Sequence, residues 1–162
     1  MTLLEPGELK TLRAEWIGRQ FDEKEFEVSL EKAQQWATAC GELRPEFCDP
    51  KHHDYQVPST FTAQYTGRKS FPDELTKLFW RGLPFDAGKR VEIHGPVRPG
   101  DKLIGRSQIH DIYEKTGRSG DMLFIVHRMT FTSTQDELRS IVDWRMVVRE
   151  NKSKASSDSK ES

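Results

Sequence analysis

Residues 102–149, KLIGRSQIHDIYEKTGRSGDMLFIVHRMTFTSTQDELRSIVDWRMVVR, decide the fold. Their apolar and polar residues alternate with a period of two, the pattern of strands with one buried face. A long strand is expected from Lys102 to about Tyr113, and the Gly-Arg-Ser-Gly at 117–120 turns the chain into a second strand, Met122 to Phe131. Thr-Gln-Asp-Glu at 134–137 turns it again, into a last strand with Val142, Trp144, Met146 and Val148 on one face and Asp143 and Arg145 on the other. Just upstream, the period of two begins at about Lys89, where Val91 and Ile93 open a strand, and Arg-Pro-Gly-Asp at 98–101 closes it with a turn. Such a meander needs something to cover its apolar face.

The first half of the chain supplies that cover. Leu9, Leu12 and Trp16 fall at helical intervals between Glu8 and Ile17, and Gly18 ends the run. Phe26 and Val28 alternate with Glu25 and Glu27, which predicts a first short strand. Ser29 suits an N-cap, since its hydroxyl can accept from an orphan N–H of the first turn. Leu30, Ala33, Trp36, Ala37 and Cys40 then share one helix face, and Gly41 suits the C-terminal end. Gly41 to Pro58 reads as loop. Ser59 or Thr60 is expected to cap a helix starting near Phe61 and failing by Gly67. A further helical segment, Asp73 to Arg81, follows Pro72, with Leu75, Leu78 and Phe79 as its apolar stripe, and ends at Gly82. The expected fold class is α+β, a curved antiparallel sheet wrapped around a central helix. The helix near Phe61 is the natural candidate for that place, flanked by the one after Ser29. Residues 1–150 are expected to form one domain, and 151–162, which lack apolar anchors, a disordered tail.

With 162 residues, 31% charged and 35% hydrophobic, the chain is long enough to bury a core and ordinary for a globular protein. A net charge of −1 argues against nucleic acid, which calls for a strong basic excess. Cys40 and Cys48 are too few for a disulfide scaffold and read as reduced thiols. The first residues, MTLLEPGELK, carry acids and a proline where a signal peptide has a basic patch and an apolar run. No stretch approaches the roughly 20 apolar residues of a membrane span. A cytoplasmic protein with no membrane partner is expected.

Several pieces of the chain, in order, resemble the N-terminal type of MaoC-like dehydratase domain, the FAS1-like dehydratase region. They are EWIGRQF (15–21), FEVSLEKAQQWATACGE (26–42), VPSTF (57–61), VEIHGPVRPGDKL (91–103) and IYEKTGRSGDMLF (112–124). PVRPGDKL and YEKTGRSG are the most specific. The resemblance implies a hot-dog fold that pairs with a second hot dog, and hydration or dehydration of acyl thioesters carried on coenzyme A or acyl carrier protein. No cofactor or metal is implied. Active hydratases of this family carry an acid and a base in a segment of the type G-D-x-N-P-x-H, and the pair moves the protons that neither water nor substrate moves fast at neutral pH. Laid on this chain, that segment becomes Gly41, Glu42, Leu43, Arg44, Pro45, Glu46 and Phe47. The glycine and proline match, the aspartate is replaced by Glu42, and the histidine by Phe47, whose ring exchanges no proton. In this the chain is similar to the non-catalytic subunits of heterodimeric hydroxyacyl dehydratases, which pair with a short catalytic hot dog.

The candidate residues follow from both readings. Glu42 is a catalytic acid or base, or a solvated carboxylate past a helix end. Phe47 is a wall of an acyl tunnel, or plain core. His52, His53 and Asp54 stand in for the lost histidine, or are surface residues; no further ligand spacing supports zinc. Val57, Pro58, Ser59, Thr60 and Phe61 form the substrate-binding candidate, because a helix N-terminus there would polarise a thioester carbonyl; the plain reading is that Ser59 or Thr60 only caps. Arg68, Lys69, Arg81, Lys89 and Arg90 are candidates for coenzyme A phosphates or simply solvated charges. His94, His110 and His127 read as structural sheet residues, and Trp36, Trp80 and Trp144 as core or dimer contacts. The leading expectation is an acyl-thioester-binding subunit of an enoyl-CoA hydratase or 3-hydroxyacyl dehydratase, working with a catalytic hot-dog partner. The alternatives are a self-sufficient hydratase using Glu42 with one of His52, His53 or Asp54, a thioesterase with Glu42 or Asp49 activating water, and a structural partner without ligand.

Overall fold

The computed structural model describes residues 3–118 and 120–151. Helix α1, Glu8–Trp16, leads into strand β1, Gln20–Glu27, longer than the short strand expected. Helix α2, Leu30–Ala39, starts at Ser29, whose hydroxyl accepts from the Lys32 N–H as the sequence predicts. It ends through Gly41, held at φ +65°, with the Gly41 N–H on the Thr38 carbonyl and the Glu42 N–H on that of Ala37. A one-turn helix α3, Pro45–Cys48, interrupts the loop that follows, and α4, Asp73–Leu78, runs into a 3₁₀ turn, Phe79–Arg81.

The four remaining strands are β2 (Leu83–Ile93), β3 (Lys102–Gly117), β4 (Gly120–Ser133) and β5 (Leu138–Arg149). They join β1 in one antiparallel sheet of order β1-β3-β4-β5-β2. The Arg98–Asp101 turn forms as expected, with Gly100 at φ +93°. Strand β2 starts at Leu83, earlier than the alternation near Lys89 suggests, because a bulge between Asp86 and Lys89 breaks its period. Gly117 pairs with Gly120 at the tip of the β3–β4 hairpin. Ser119 and, apart from Asn151, the tail expected at 151–162 lie outside the described residues. Among the described residues no helix is long and apolar enough to cross a membrane.

One face of the sheet is buried in two clusters. Ile109, Ile112, Leu123, Ile125 and Val148 pack with Leu3, Leu4, Trp16, Phe71, Leu75 and Leu78, so that the N-terminal segment, α1 and α4 cover that half. Leu103, Met129, Phe131 and Val142 pack with Phe26, Val28, Ala33, Val57, Phe61 and Val97 beneath α2. Ala33 and Ala37 are fully buried, and their small side chains let the α2 backbone approach closely; Leu30, expected on the same face, is exposed.

The helix expected near Phe61 does not form. Phe61–Gln64 is a single 3₁₀ turn without a side-chain cap. The hydroxyl of Thr60 instead accepts from the indole N–H of Trp36, 3.1 Å away, and Lys89 donates to the Ala63 carbonyl. Phe61, Thr62 and Tyr65 are aromatic or β-branched, types that give a helix little intrinsic support. Cover thus comes from α2 and α4 around a short turn. Trp80, read as core or dimer contact, is 83% exposed.

Gly105, on the buried face of β3, is where the aromatic packing closes. An alanine Cβ there would lie 2.7 Å from the Phe26 ring and 3.1 Å from that of Phe131. Gly105→Ala is expected to destabilise the protein by about 1–3 kcal/mol, the usual cost of overpacking. Denaturant unfolding checks this as a fall in midpoint at unchanged slope.

Candidate functional site

The loop that leaves α2 is held by three sets of contacts. At its start the Glu42 carboxylate accepts from the N–H groups of Leu43 and Arg44, and from Arg44 Nε and Nη2 at 2.9 and 2.6 Å. The Arg44 side chain foremost, with these backbone N–H groups, pulls the Glu42 pKa down to about 2. The same guanidinium lies 4.4 Å from the ring centre of Phe47, which α3 carries. At its end the loop is fastened to the segment after β2. Arg98 donates to the Tyr55 carbonyl at 2.8 Å and to Asp54 at 2.6 Å, and the Val57 N–H donates to the Val97 carbonyl at 2.9 Å. Between them the Gln56 N–H reaches the Glu46 carbonyl.

This fastening leaves a cleft of about 150 Å³ between loop and sheet edge. Phe47, Val57, Pro58 and Ser59 line it on one side, and Ile93, Gly95 and Val97 on the other, with Gln56 and Thr62 supplying polar groups. No carboxylate, imidazole, thiol or amine is among these lining residues. The cleft is therefore apolar with a few neutral hydrogen-bonding groups, suited to holding a chain and an amide or ester rather than to moving protons.

Four of the candidate residues thus come together: Phe47, Val57, Pro58 and Ser59. Thr60 and Phe61 do not line the cleft. Thr60 is engaged by Trp36, and Phe61 is wholly buried, edge-on to Trp36 and Tyr65. The thioester-polarising role read for this segment loses its basis, since a four-residue 3₁₀ turn has no run of aligned peptide dipoles. Glu42 also lies outside the lining, bound to Arg44 and ionised at neutral pH. His52 and His53 pack ring to ring at 4.4 Å, His52 Nδ1 accepts from the Asp54 N–H, and neither lines the cleft. Asp49 accepts from the Lys51 N–H in a local turn. Of the cations read as phosphate candidates, Lys69 pairs with Asp73, Arg81 with Glu8 and Arg90 with Glu92. No group of three metal-ligating side chains occurs among the described residues.

The sequence reading missed Gln56, Thr62, Ile93, Gly95 and Val97. The last three are alternate residues of one short stretch that precedes a turn, but only the pairing of the Val57 and Val97 backbones puts them opposite Phe47.

A five-stranded antiparallel sheet of this order, with helical cover on one face, is a hot-dog fold, and solved structures share it. In the C-terminally truncated HadBC (3R-hydroxyacyl-ACP dehydratase) complex from Mycobacterium tuberculosis, one chain aligns with a TM-score of 0.58 and 23% identity, over 82% of this chain and 93% of that one. For the ChsH1–ChsH2 complex from the same organism the values are 0.65 and 17%, over 88% and 89%. A MaoC-like dehydratase from Rhodospirillum rubrum aligns at 0.53 and 19%, over 83% and 93%. Within this fold, residues 15–139 match the FAS1-like, dehydratase domain region, and the chain belongs to that family. It is also 30% identical over 139 residues to a UPF0336 protein of Parafrankia sp. (strain EAN1pec), covering 78% of this chain and 87% of that one.

If Arg44 is the cause of the low Glu42 pKa, Arg44→Ala should return it towards 4.5. The shift is a depression, so the Glu42–Arg44 contact stabilises the loop fully above pH 4.5 and is lost as pH falls towards about 2. Carboxyl carbon-13 titration by NMR reads both midpoints; an unchanged Glu42 midpoint in Arg44→Ala would reject the assignment.

Proposed function

We propose that the chain is an acyl-thioester-binding subunit of a hydratase or dehydratase, cytoplasmic and paired with a second hot dog that supplies the acid and base. The observation that carries the reading is the cleft with Phe47 in its wall and no titratable side chain in its lining. Family resemblance puts the catalytic histidine of active hydratases at that position. Here a phenyl ring gives the site an apolar surface for an acyl chain. The Gln56 amide oxygen and the exposed Ser59 hydroxyl offer hydrogen bonds to a thioester or to the amide groups of a pantetheine arm, which coenzyme A and acyl carrier protein share, while the buried Thr62 hydroxyl is held by Ser140. Glu42, already ionised and held by Arg44, is no proton donor at neutral pH and too weak a base to replace the dyad.

A cleft of about 150 Å³ is smaller than the roughly 300–1,000 Å³ of a complete ligand site. It fits part of a ligand, with the remainder covered by a partner. The edge strand β2 supports such a partner: among the described residues it pairs with β5 on one side only. Leu83, Phe85 and Ile93 along it are exposed, with Trp80 beside them. An edge of this length and apolar content is a site for strand-to-strand docking. Ile93 belongs to both edge and cleft, so a docked partner would close the acyl site.

Hydration of short and long 2-enoyl-CoA thioesters, followed as loss of the enoyl absorbance, tests the reading. The purified chain alone should give no turnover yet bind saturated acyl-CoA, and adding a hot dog with an intact acid–base pair should give hydration. Ser59→Trp, which fills the cleft from an exposed position, should weaken acyl-CoA binding about tenfold, or about 1.4 kcal/mol. Turnover by the chain alone that disappears in Glu42→Ala would overturn the proposal.

A further inference from the structure

The edge strand β2 changes face at its bulge. After the bulge, Val91 and Ile93 sit opposite Val142 and Ser140 and share the buried face of the sheet. Before it, Leu83 and Phe85 sit opposite Arg149 and Val147, on the side away from the core residue Val148. The Arg149 guanidinium lies 5.5 Å from the Phe85 ring centre on that side. Leu83 and Phe85 therefore point away from the side that carries the cleft. Among the described residues, the large exposed apolar side chain that the helical cover carries at their end of the strand is Trp80.

The turn that holds Trp80 is part of that cover. Phe79 packs edge-on to the buried Phe71 at 5.3 Å, and Arg81 donates to the Leu3 carbonyl at 3.1 Å and to Glu8 at 2.7 Å. With both neighbours anchored, the Trp80 backbone is fixed while the side chain stands 83% exposed. Tryptophan is among the residue types most enriched where interfaces hold their binding energy, and a rigid mount lowers the ordering cost of docking.

The cleft lies at the other end of the strand, where Ile93 and, just beyond it, Gly95 and Val97 form one wall. Two hot dogs that join through corresponding edges are related by a two-fold or near-two-fold axis, which sets the edge strands antiparallel and brings opposite ends together. Full overlap of strands the length of β2 puts Leu83 opposite the partner's counterpart of Ile93. Trp80, three residues earlier, then falls opposite the counterparts of Gly95 and Val97, on the cleft side of the joined sheets. We propose that Trp80 is the residue by which this chain completes the acyl site of its catalytic partner, reaching across the joined edges to roof the partner's cleft. The assignment rests on the acyl-thioester reading above. The flat apolar face of an indole suits the hydrocarbon chain of the acyl group. This chain thus takes part in acyl binding at the partner's site while the partner moves the protons.

The test uses the full-length chain with the short hot dog that gives hydration in the assay above, the partner in excess so that every variant is paired. Trp80→Ala is expected to raise KM for long-chain 2-enoyl-CoA about tenfold with kcat within about threefold, the mark of lost binding rather than lost proton transfer, and Trp80→Phe to recover most of that loss. Fluorine-19 NMR of the chain labelled with 5-fluorotryptophan reads the contact directly, the Trp80 signal being the one missing in Trp80→Phe. That signal is expected to move when the partner is added and again when a saturated acyl-CoA joins the pair. A shift with partner but none with acyl-CoA, and an unchanged KM in Trp80→Ala, would make Trp80 a docking contact only and overturn the roof, with the acyl-thioester reading intact. No shift on adding an active partner would overturn it equally. A pair that forms and moves the Trp80 signal, yet neither binds nor hydrates acyl-CoA, would overturn the acyl-thioester reading and the roof with it.

Discussion

The apolar face of the five-stranded sheet has to be shielded from water, and no single long helix does it. The cover is assembled from α1, the N-terminal segment and α4 over one half, and from α2 and the turn at Phe61 over the other. None of these pieces is long enough to be stable by itself, so their helicity depends on the sheet they bury. The close approach at Gly105, where the Phe26 and Phe131 rings leave no room for a Cβ, sets how Phe26 of β1 packs over β3 and β4, in the cluster that Ala33 of α2 also joins. The path of the loop after Gly41 follows from there.

That path determines the chemistry of the site. Arg44 holds Glu42 on one side and faces the Phe47 ring on the other, while Arg98 fastens Tyr55 and Asp54 to the end of the β2–β3 connection. Charge in this loop is used to hold backbone in place, and what faces the cleft is apolar or neutral. The mixed polar character that makes Gly41 to Phe61 look catalytic in the sequence is thus separated in space. Arg44 and Arg98 take the Glu42 and Asp54 carboxylates, His52 and His53 pack on each other, and Phe47, Val57 and Pro58 form the wall. The central row of the sheet shows the opposite separation, since His127 and Trp144 bring unpaired polar atoms into an otherwise apolar floor.

Much of the fold is legible in the sequence because its signals are local. The period of two from 102 to 149, the Ser29 cap, Gly41 at positive φ and the turn at Arg98–Asp101 each depend on residues a few positions apart. The helix expected near Phe61 fails for the converse reason. Ser59 and Thr60 are good caps locally, but Trp36, far away in the chain, takes the Thr60 hydroxyl, and Lys89 takes the Ala63 carbonyl. The start of β2 was obscured by a bulge, which breaks the alternation that would have revealed it.

By itself the sequence determined the α+β class, the alternation that chooses the buried face of each late strand, and the replacement of the expected histidine by Phe47. Those properties are fixed by side-chain identity and by short-range backbone preference. Only the tertiary structure decided that Phe47 faces Ile93 and Val97 across a cleft, that Glu42 is committed to Arg44, and that His127 is buried without partners. Each of these depends on segments distant in sequence meeting through strand pairing, loop fastening and shared burial, which no local pattern encodes.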